Sequence, residues 1–342
     1  MIIDCHGHYT TAPQKLQAWR DRQLAELADG NRKLPGPAPD ISDDEIRVSV
    51  EGQQLKMQQD RGSDLTIFSP QAAGMAHHVG TQKTSEDWSR VCNDMIYRVT
   101  QLFPKNFIGV AQLPQSPGVS PKNCLAEIDR CINELDFVGV NVNPDPSGGY
   151  WQDPPLYDKF WWPLWEKMCE LDIPGMIHVS SSCNPCFHAT GAHYINGDTT
   201  AFMQFIESNL FKDFPKLKFI IPHGGGAVPF HWGRYRGLAL MQKKVLKEHL
   251  LDNVYFDTCV YHQPGINLLA QVIPVDNILF ASEMIGAVRG NDPETGFAFD
   301  DTKRYVDALP LSAEDKAKIF EHNARKVYGP LDKVLKKRGL IS

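Results

Sequence analysis

Four histidines and one glutamate carry the chemistry this sequence offers. His6 and His8 close the run Ile2-Ile3-Asp4-Cys5-His6-Gly7-His8, His178 sits near the tip of Pro174-Gly-Met-Ile-His-Val179, His223 follows Lys218-Phe-Ile-Ile-Pro222, and Glu283 follows Ile278-Leu-Phe-Ala-Ser282. In a β-strand residues i and i+2 face the same way, so His6 and His8 project together from a strand end. Neutral imidazole is the commonest zinc ligand, and a catalytic zinc takes three protein ligands and keeps one position open for water. Two histidines alone are half of such a site, and by themselves they would equally suit a solvated N-terminal tail.

The elements between these residues alternate. A Gln/Arg/Leu-rich helix is expected from Pro13 to Asn31, a Pro/Gly loop from Lys33 to Asp40, and a helix to about Asp60 opened by the capping box Ser42-Asp43-Asp44-Glu45. Short apolar strands follow at 64–69, 107–112, 137–141, 174–179, 218–222, 254–257 and 278–282. Helices fall between them at about 85–103, from Ser120-Pro121, 156–171, 198–211, a long basic one to about 250, and 266–272. C-terminal helices are expected at 301–309, 312–321 and 323–337.

With Ile2 to Asp4 this makes eight strands, and strands lacking polar alternation are buried on both faces. The pattern predicts an α/β fold, a (β/α)8 barrel forming one domain over 1–342. A doubly wound sheet would place its ligand at one switch point, whereas the barrel gathers residues from several strand ends. His6 and His8, His178, His223 and Glu283 then lie at the carboxyl ends of strands 1, 5, 6 and 8, where barrel active sites are built.

Composition narrows the class. A 342-residue chain that is 42% hydrophobic and 22% charged can bury a large core. The net charge of -6 argues against a nucleic-acid partner. There is no basic leader and no apolar run of membrane-spanning length, and the eight cysteines are irregularly spaced, so a cytoplasmic, reduced location is expected.

Taken as a set, His-x-His after strand 1, His after strand 5, Ile-Pro-His-Gly-Gly-Gly after strand 6 and an acidic residue in Phe-x-Ser-Asp/Glu after strand 8 resemble the amidohydrolase superfamily. Within it the chain is similar to the carboxymuconate-semialdehyde decarboxylase branch, and there most of all to hydratases of an unsaturated oxo-tricarboxylate. The likeness implies that His6, His8 and His178 hold one Zn2+ and that His223 lies near substrate. Binuclear members carry a carboxylated Lys after strand 4; Asn141 stands there in this chain, which implies one metal. The family usually places Asp after strand 8, so Glu283 is expected to act as a base that also touches or approaches the zinc.

A zinc would lower the pKa of its water toward about 7. Glu283 would accept the proton, while His223 or a hydroxyl such as Tyr194 would stabilise the enolate and return a proton to carbon. The alternative on the same scaffold is a non-oxidative decarboxylase of a carboxymuconate semialdehyde or a hydroxybenzoate, which an Asp at position 283 would favour. A non-catalytic barrel that keeps its histidines for folding is the third reading.

A polycarboxylate substrate needs fixed cations, and Arg suits bidentate carboxylate grips. The candidates are Arg234, Arg236, Arg289, Lys303 and Arg304, with Arg289 and Arg234 preferred because they follow metal-face strands. The polar loop Ser180 to Tyr194 is a candidate pocket wall. His223-Gly224-Gly225-Gly226 has no Gly-x-Ser-x-Gly elbow to accompany it and matches neither a P-loop nor a dinucleotide fingerprint, so its glycines are expected to let backbone approach the substrate. Cys183-Asn-Pro-Cys186 has redox or zinc spacing but no second pair. Trp161, Trp162 and Trp165 at helical spacing suggest packing or a subunit interface in a homo-oligomer, a dimer being expected. His77 and His78 suit pocket and surface alike.

Overall fold

The computed structural model describes residues 1–28 and 38–342. The expected end of the first helix at Asn31, and the loop at Lys33 as far as residue 37, lie outside them. Among the described residues nine strand segments are formed: β1 Ile3–Tyr9, β2 Leu65–Pro70, β3 Phe107–Gly109, β4 Ala111–Gln112, β5 Val140–Val142, β6 Gly175–Ile177, β7 Phe219–Ile221, β8 Val254–Asp257 and β9 Ile278–Leu279. All pair in parallel, in the orders β1-β2-β3 and β4-β5-β6-β7-β8-β9.

The two sheets are one closed ring. β3 and β4 are halves of a single stave: the Val110 N–H turns to the Phe68 carbonyl at 2.9 Å and the Ala111 N–H to the Gly139 carbonyl at 3.0 Å. Across the other seam, Cys5 donates to the Phe280 carbonyl and Glu283 to the His6 carbonyl, both at 2.9 Å. Eight parallel staves closed on themselves with helices outside are a (β/α)8 barrel.

Ile3, Leu65, Ile108, Met176, Ile220 and Leu279 fill the barrel interior and pack onto Tyr328, Leu331 and Leu335 of the C-terminal segment. Gly329 donates to the Asp172 carbonyl and Lys218 Nζ to that of Val327, both just before β6 and β7, so this segment plugs the amino end of the barrel. The carboxyl end is left for the site. Trp161 and Trp165 are fully buried and stack 5.7 Å apart, while Trp162 meets Phe214 edge-on at 5.3 Å. The tryptophans at 161 and 165 are therefore packing residues of this chain's own core and offer no surface to a subunit partner.

Three departures from the expected elements bear on the site. β1 does not stop at Asp4 but continues through the His-Gly-His run to Tyr9. Its pairing with β2 slips: Asp4 faces Thr66 and Gly7 faces Phe68, so three steps on β1 match two on β2, a bulge at Cys5-His6. The bulge resets the alternation, which lets Ile3 and Cys5 face the barrel core while His6 and His8 face the site. Gly7 is the residue that fits between the histidines, because a Cβ there would meet Thr66 Cγ2 at 2.4 Å.

The helix expected from residue 198 begins at Gly191 and runs to Glu207, so Tyr194 sits on a helix and not in a loop. Its low-propensity Gly197 is selected by packing, since a Cβ would lie 2.7 Å from Val179 Cγ1. The long basic helix breaks into Trp232–Met241 and Leu246–Leu250, with Lys243 left-handed at φ 59° between them. Among the described residues no helix is long and apolar enough to cross a membrane.

Candidate metal centre and active site

At the carboxyl end of the barrel three imidazoles converge. His6 Nε2 lies 3.0 Å from His8 Nε2, which lies 3.1 Å from His178 Nε2. The rings meet edge-to-face, with centroids 4.8 to 5.2 Å apart. Two nitrogens held about 2.1 Å from one tetrahedral ion sit roughly 3.4 Å apart, close to this spacing.

The opposite nitrogens fix the tautomers. His6 Nδ1 donates to Asp257 Oδ2 at 2.8 Å and His178 Nδ1 to the Val179 carbonyl at 2.8 Å. His8 Nδ1 donates to Ser69 Oγ at 2.7 Å, whose own hydrogen goes to the Pro70 carbonyl and which also accepts from Asn141 Nδ2 at 3.1 Å. With every Nδ1 protonated, three Nε2 lone pairs point into one space, an arrangement that is repulsive unless a cation lies between them. Burial, reinforced by the neighbouring histidines, holds the pKa values of His8 and His178 well below the ordinary imidazole value, which favours the neutral form that binds metals. His6, His8, His178 and Glu283 each bring a ligand atom within 4.8 Å of the others. The donor set fits a single divalent metal.

Asp257 is built as an orienting carboxylate. Besides His6 it accepts the N–H groups of Gly224 and Cys259 at Oδ1, each at 3.0 Å. Burial alone would raise its pKa, but His6 and these donors outweigh burial and hold it low. Cys259 Sγ lies 3.6 Å from His6 Nδ1, on the nitrogen already given to Asp257.

Glu283 is buried, with left-handed backbone at φ 49°, and its Oε2 accepts the Tyr261 hydroxyl at 2.6 Å. His223 Nε2 lies 3.8 Å from the same oxygen and has no hydrogen-bond partner among the described residues. Its Nδ1 bonds Asp198 Oδ2 at 2.7 Å. Burial would depress the His223 pKa, but the Asp198 carboxylate, with Glu283 and Asp257 beyond it, pushes it up to about 9. Tyr194 stacks on the His223 ring, centroids 5.8 Å apart, and burial pushes its hydroxyl pKa up.

The glycines after His223 serve packing and turning. His223, Gly224, Gly225 and Gly226 all have φ between 53° and 85°, and Cβ atoms on the glycines would strike Val260 at 2.4 Å, Phe256 at 2.5 Å and Thr199 at 2.6 Å. Gly224 and Gly225 thus pack against β8 and the residues after it, and Gly226 against the helix Gly191–Glu207.

A cavity of about 150 Å³ opens onto the site, lined by His8, His178, Tyr194 and Glu283 with Thr10 and Gln71. Among the described residues no Arg or Lys lines it. Arg289 donates to the carbonyls of Ile285 at 3.0 Å and of Gly286, which lines the cavity, at 3.2 Å. Arg234 and Arg236 are exposed on the helix Trp232–Met241. Lys303 is paired with Asp307 at 2.7 Å, and Arg304 lies over the Phe297 ring at 3.7 Å. A larger groove of about 820 Å³ on the outer face, lined by Trp232, Arg236, Leu240, Lys244 and Val245, shares no residue with the site.

His77 is buried, with Nε2 donating to the Leu113 carbonyl at 3.0 Å and Nδ1 accepting from Asn143 at 2.9 Å; it ties loops together. His78 is half-buried. Cys183 and Cys186 are free, exposed thiols. Several site residues escaped the sequence reading, among them Asp257, Asp198, Tyr261 and Ser69. Asp257 could have been found, because it ends β8 on the metal face. Asp198 and Tyr261 carried no signal, since only the folded chain brings them to His223 and Glu283.

This constellation on a (β/α)8 barrel defines a class. The amidohydrolase family model matches residues 3–329, and the chain belongs to that family and is an enzyme of it. It is 59% identical over 341 residues, 99% of each chain, to the 2-keto-4-carboxy-3-hexenedioate hydratase of Sphingobium sp. strain SYK-6. It matches the crystal structure of the 4-oxalomesaconate hydratase LigJ from Rhodopseudomonas palustris with a TM-score of 0.92 at 59% identity, covering 99% of each chain. A gamma-resorcylate decarboxylase of a Polaromonas species is 27% identical over 277 residues, 72% of this chain and 82% of the relative.

Proposed function

We propose that this protein is a zinc-dependent hydratase that adds water to the carbon-carbon double bond of 4-oxalomesaconate, giving 4-carboxy-4-hydroxy-2-oxoadipate in the cytoplasmic catabolism of aromatic compounds. The observation that carries this reading is a buried carboxylate, Glu283, set beside the three-histidine cluster in a chain that matches hydratases along 99% of its length. A divalent metal held by His6, His8 and His178 supplies Lewis acidity and lowers the pKa of water.

The chain's own groups handle the protons. Glu283 accepts one from the attacking water, with Tyr261 holding its carboxylate in place through Oε2. His223, protonated and braced by Asp198, presents Nε2–H to the developing enolate and delivers a proton to carbon. Tyr194 covers both His178 and His223 and keeps water from that side. The substrate carboxylates meet Arg289 and, inside the cavity, the neutral side-chain amide of Gln71. Exposed Leu240 and Val245 on the outer groove support a homo-oligomer joined through that face.

Product analysis of the metal-loaded protein incubated with 4-oxalomesaconate tests the reading. A product heavier by one water is expected; release of CO2 would support the decarboxylase seen among the more distant relatives.

A further inference from the structure

The segment that carries Glu283 is held in a costly backbone conformation. Glu283 has φ 49° and Ile285 φ 59°. For a β-branched residue the left-handed region is a true outlier, and it persists only where surrounding contacts over-determine it. Residues 281–285 are each tied by a buried polar group. Ala281 exchanges hydrogen bonds with the Thr258 hydroxyl at 2.8 and 2.9 Å, Ser282 N–H donates to Asp4 Oδ1 at 3.0 Å, and Met284 N–H donates to Ser282 Oγ at 3.2 Å.

At Ile285 the tie is ionic. Its N–H donates to Asp300 Oδ2 at 2.8 Å, and its carbonyl accepts from Thr10 Oγ1 at 2.8 Å and Arg289 Nη2 at 3.0 Å. The other Asp300 oxygen takes Arg61 Nη2 at 2.8 Å, and Arg61 Nη1 reaches the Asp300 carbonyl at 3.1 Å. Both side chains are nearly buried, at 10% and 4% exposure, so water screens this pair little. Arg61 sits at the end of the helix preceding β2, on the far side of β1 from β9.

We propose that Asp300, locked by Arg61, is a positioning residue for the reaction: it holds Ile285 left-handed and thereby keeps Glu283 on Tyr261 and beside the histidines. A misplacement of about 1 Å at a reacting group can cost on the order of a hundredfold. The kinetic part of this inference rests on the hydratase reading; the structural part does not.

The test compares Asp300→Ala, Asp300→Asn and each of these combined with Ile285→Gly, using the metal-loaded enzyme. Asp300→Ala should lower kcat about tenfold or more with KM little changed and metal content intact. Asp300→Asn, which keeps a carbonyl oxygen for the Ile285 N–H, should retain more activity. Glycine adopts positive φ freely, so with Ile285→Gly the holding force is less needed and Asp300→Ala should cost markedly less. Equal costs in the two backgrounds, or wild-type kcat in Asp300→Ala, would overturn the proposal. The crystal structure of Asp300→Ala should show Ile285 out of the left-handed region and the Tyr261–Glu283 contact broken. That readout stands or falls without the assay, so a failure of the hydratase reading is told apart from a failure of this one.

Discussion

Tyr261, itself partly buried, donates its hydroxyl to Oε2 of the buried Glu283 at 2.6 Å, beside the three-histidine cluster. A hydrogen bond to a charged group is worth roughly 1.5–3 kcal/mol. Tyr261→Phe keeps the ring and removes the donor, so kcat should fall about tenfold or more while substrate binding changes little. Unaltered kcat in steady-state assays would show that the contact does not orient the base.

The Asp198–His223 pair makes a pH prediction. The folded-state pKa of His223 lies above its ordinary value of 6.5, so the stabilisation its proton brings is lost as pH rises through about 9, while on the acid side the ion pair lasts only down to about 6, where Asp198, its pKa pushed up by burial, takes a proton. A proton on Nε2 is available up to the same alkaline limit, and kcat/KM should fall beyond it. A nearby metal cation lowers that limb, and Asp198→Asn should lower it further, by about one pH unit or more. An unmoved limb in the variant's pH–rate profile would assign the alkaline group elsewhere.

Arg289 donates to the carbonyl of Gly286, which lines the cavity, and is the cation proposed to meet the substrate. Arg289→Ala should reduce kcat/KM for a polycarboxylate more than about tenfold, chiefly through KM, with metal retained. Wild-type kinetics would leave carboxylate recognition to the Gln71 amide.

Elemental analysis should find one divalent metal per chain, zinc when the protein is prepared in zinc. His6→Ala, His8→Ala and His178→Ala should each lose it with the fold retained, and Ser69→Ala should weaken binding about ten- to a hundredfold. Two metals per chain would contradict the single donor set.

Much of this was legible in the sequence, for physical reasons. Continuous apolar strands between helices specify a parallel sheet buried on both faces, and closure then places His6, His8, His178, His223 and Glu283 on one end. The bulge at Cys5-His6 was not legible, because alternation counted along β1 cannot reveal a slip against β2. Nor was the helical setting of Tyr194: Gly191 and Gly197 disfavour helix locally, and tertiary packing on Val179 overrides them. Arg234, Lys303 and Arg304 follow the right strands in sequence, but none lines the cavity: Arg234 is exposed on a helix, Lys303 is paired with Asp307 and Arg304 lies over the Phe297 ring.

The central claim is that Glu283 takes the proton from the attacking water. Gln keeps the size of Glu and cannot accept that proton. Single-turnover kinetics of metal-loaded Glu283→Gln with 4-oxalomesaconate should show metal and substrate bound as in the wild type, with hydration slowed about a hundredfold or more. Hydration at the wild-type rate in that variant would contradict the account.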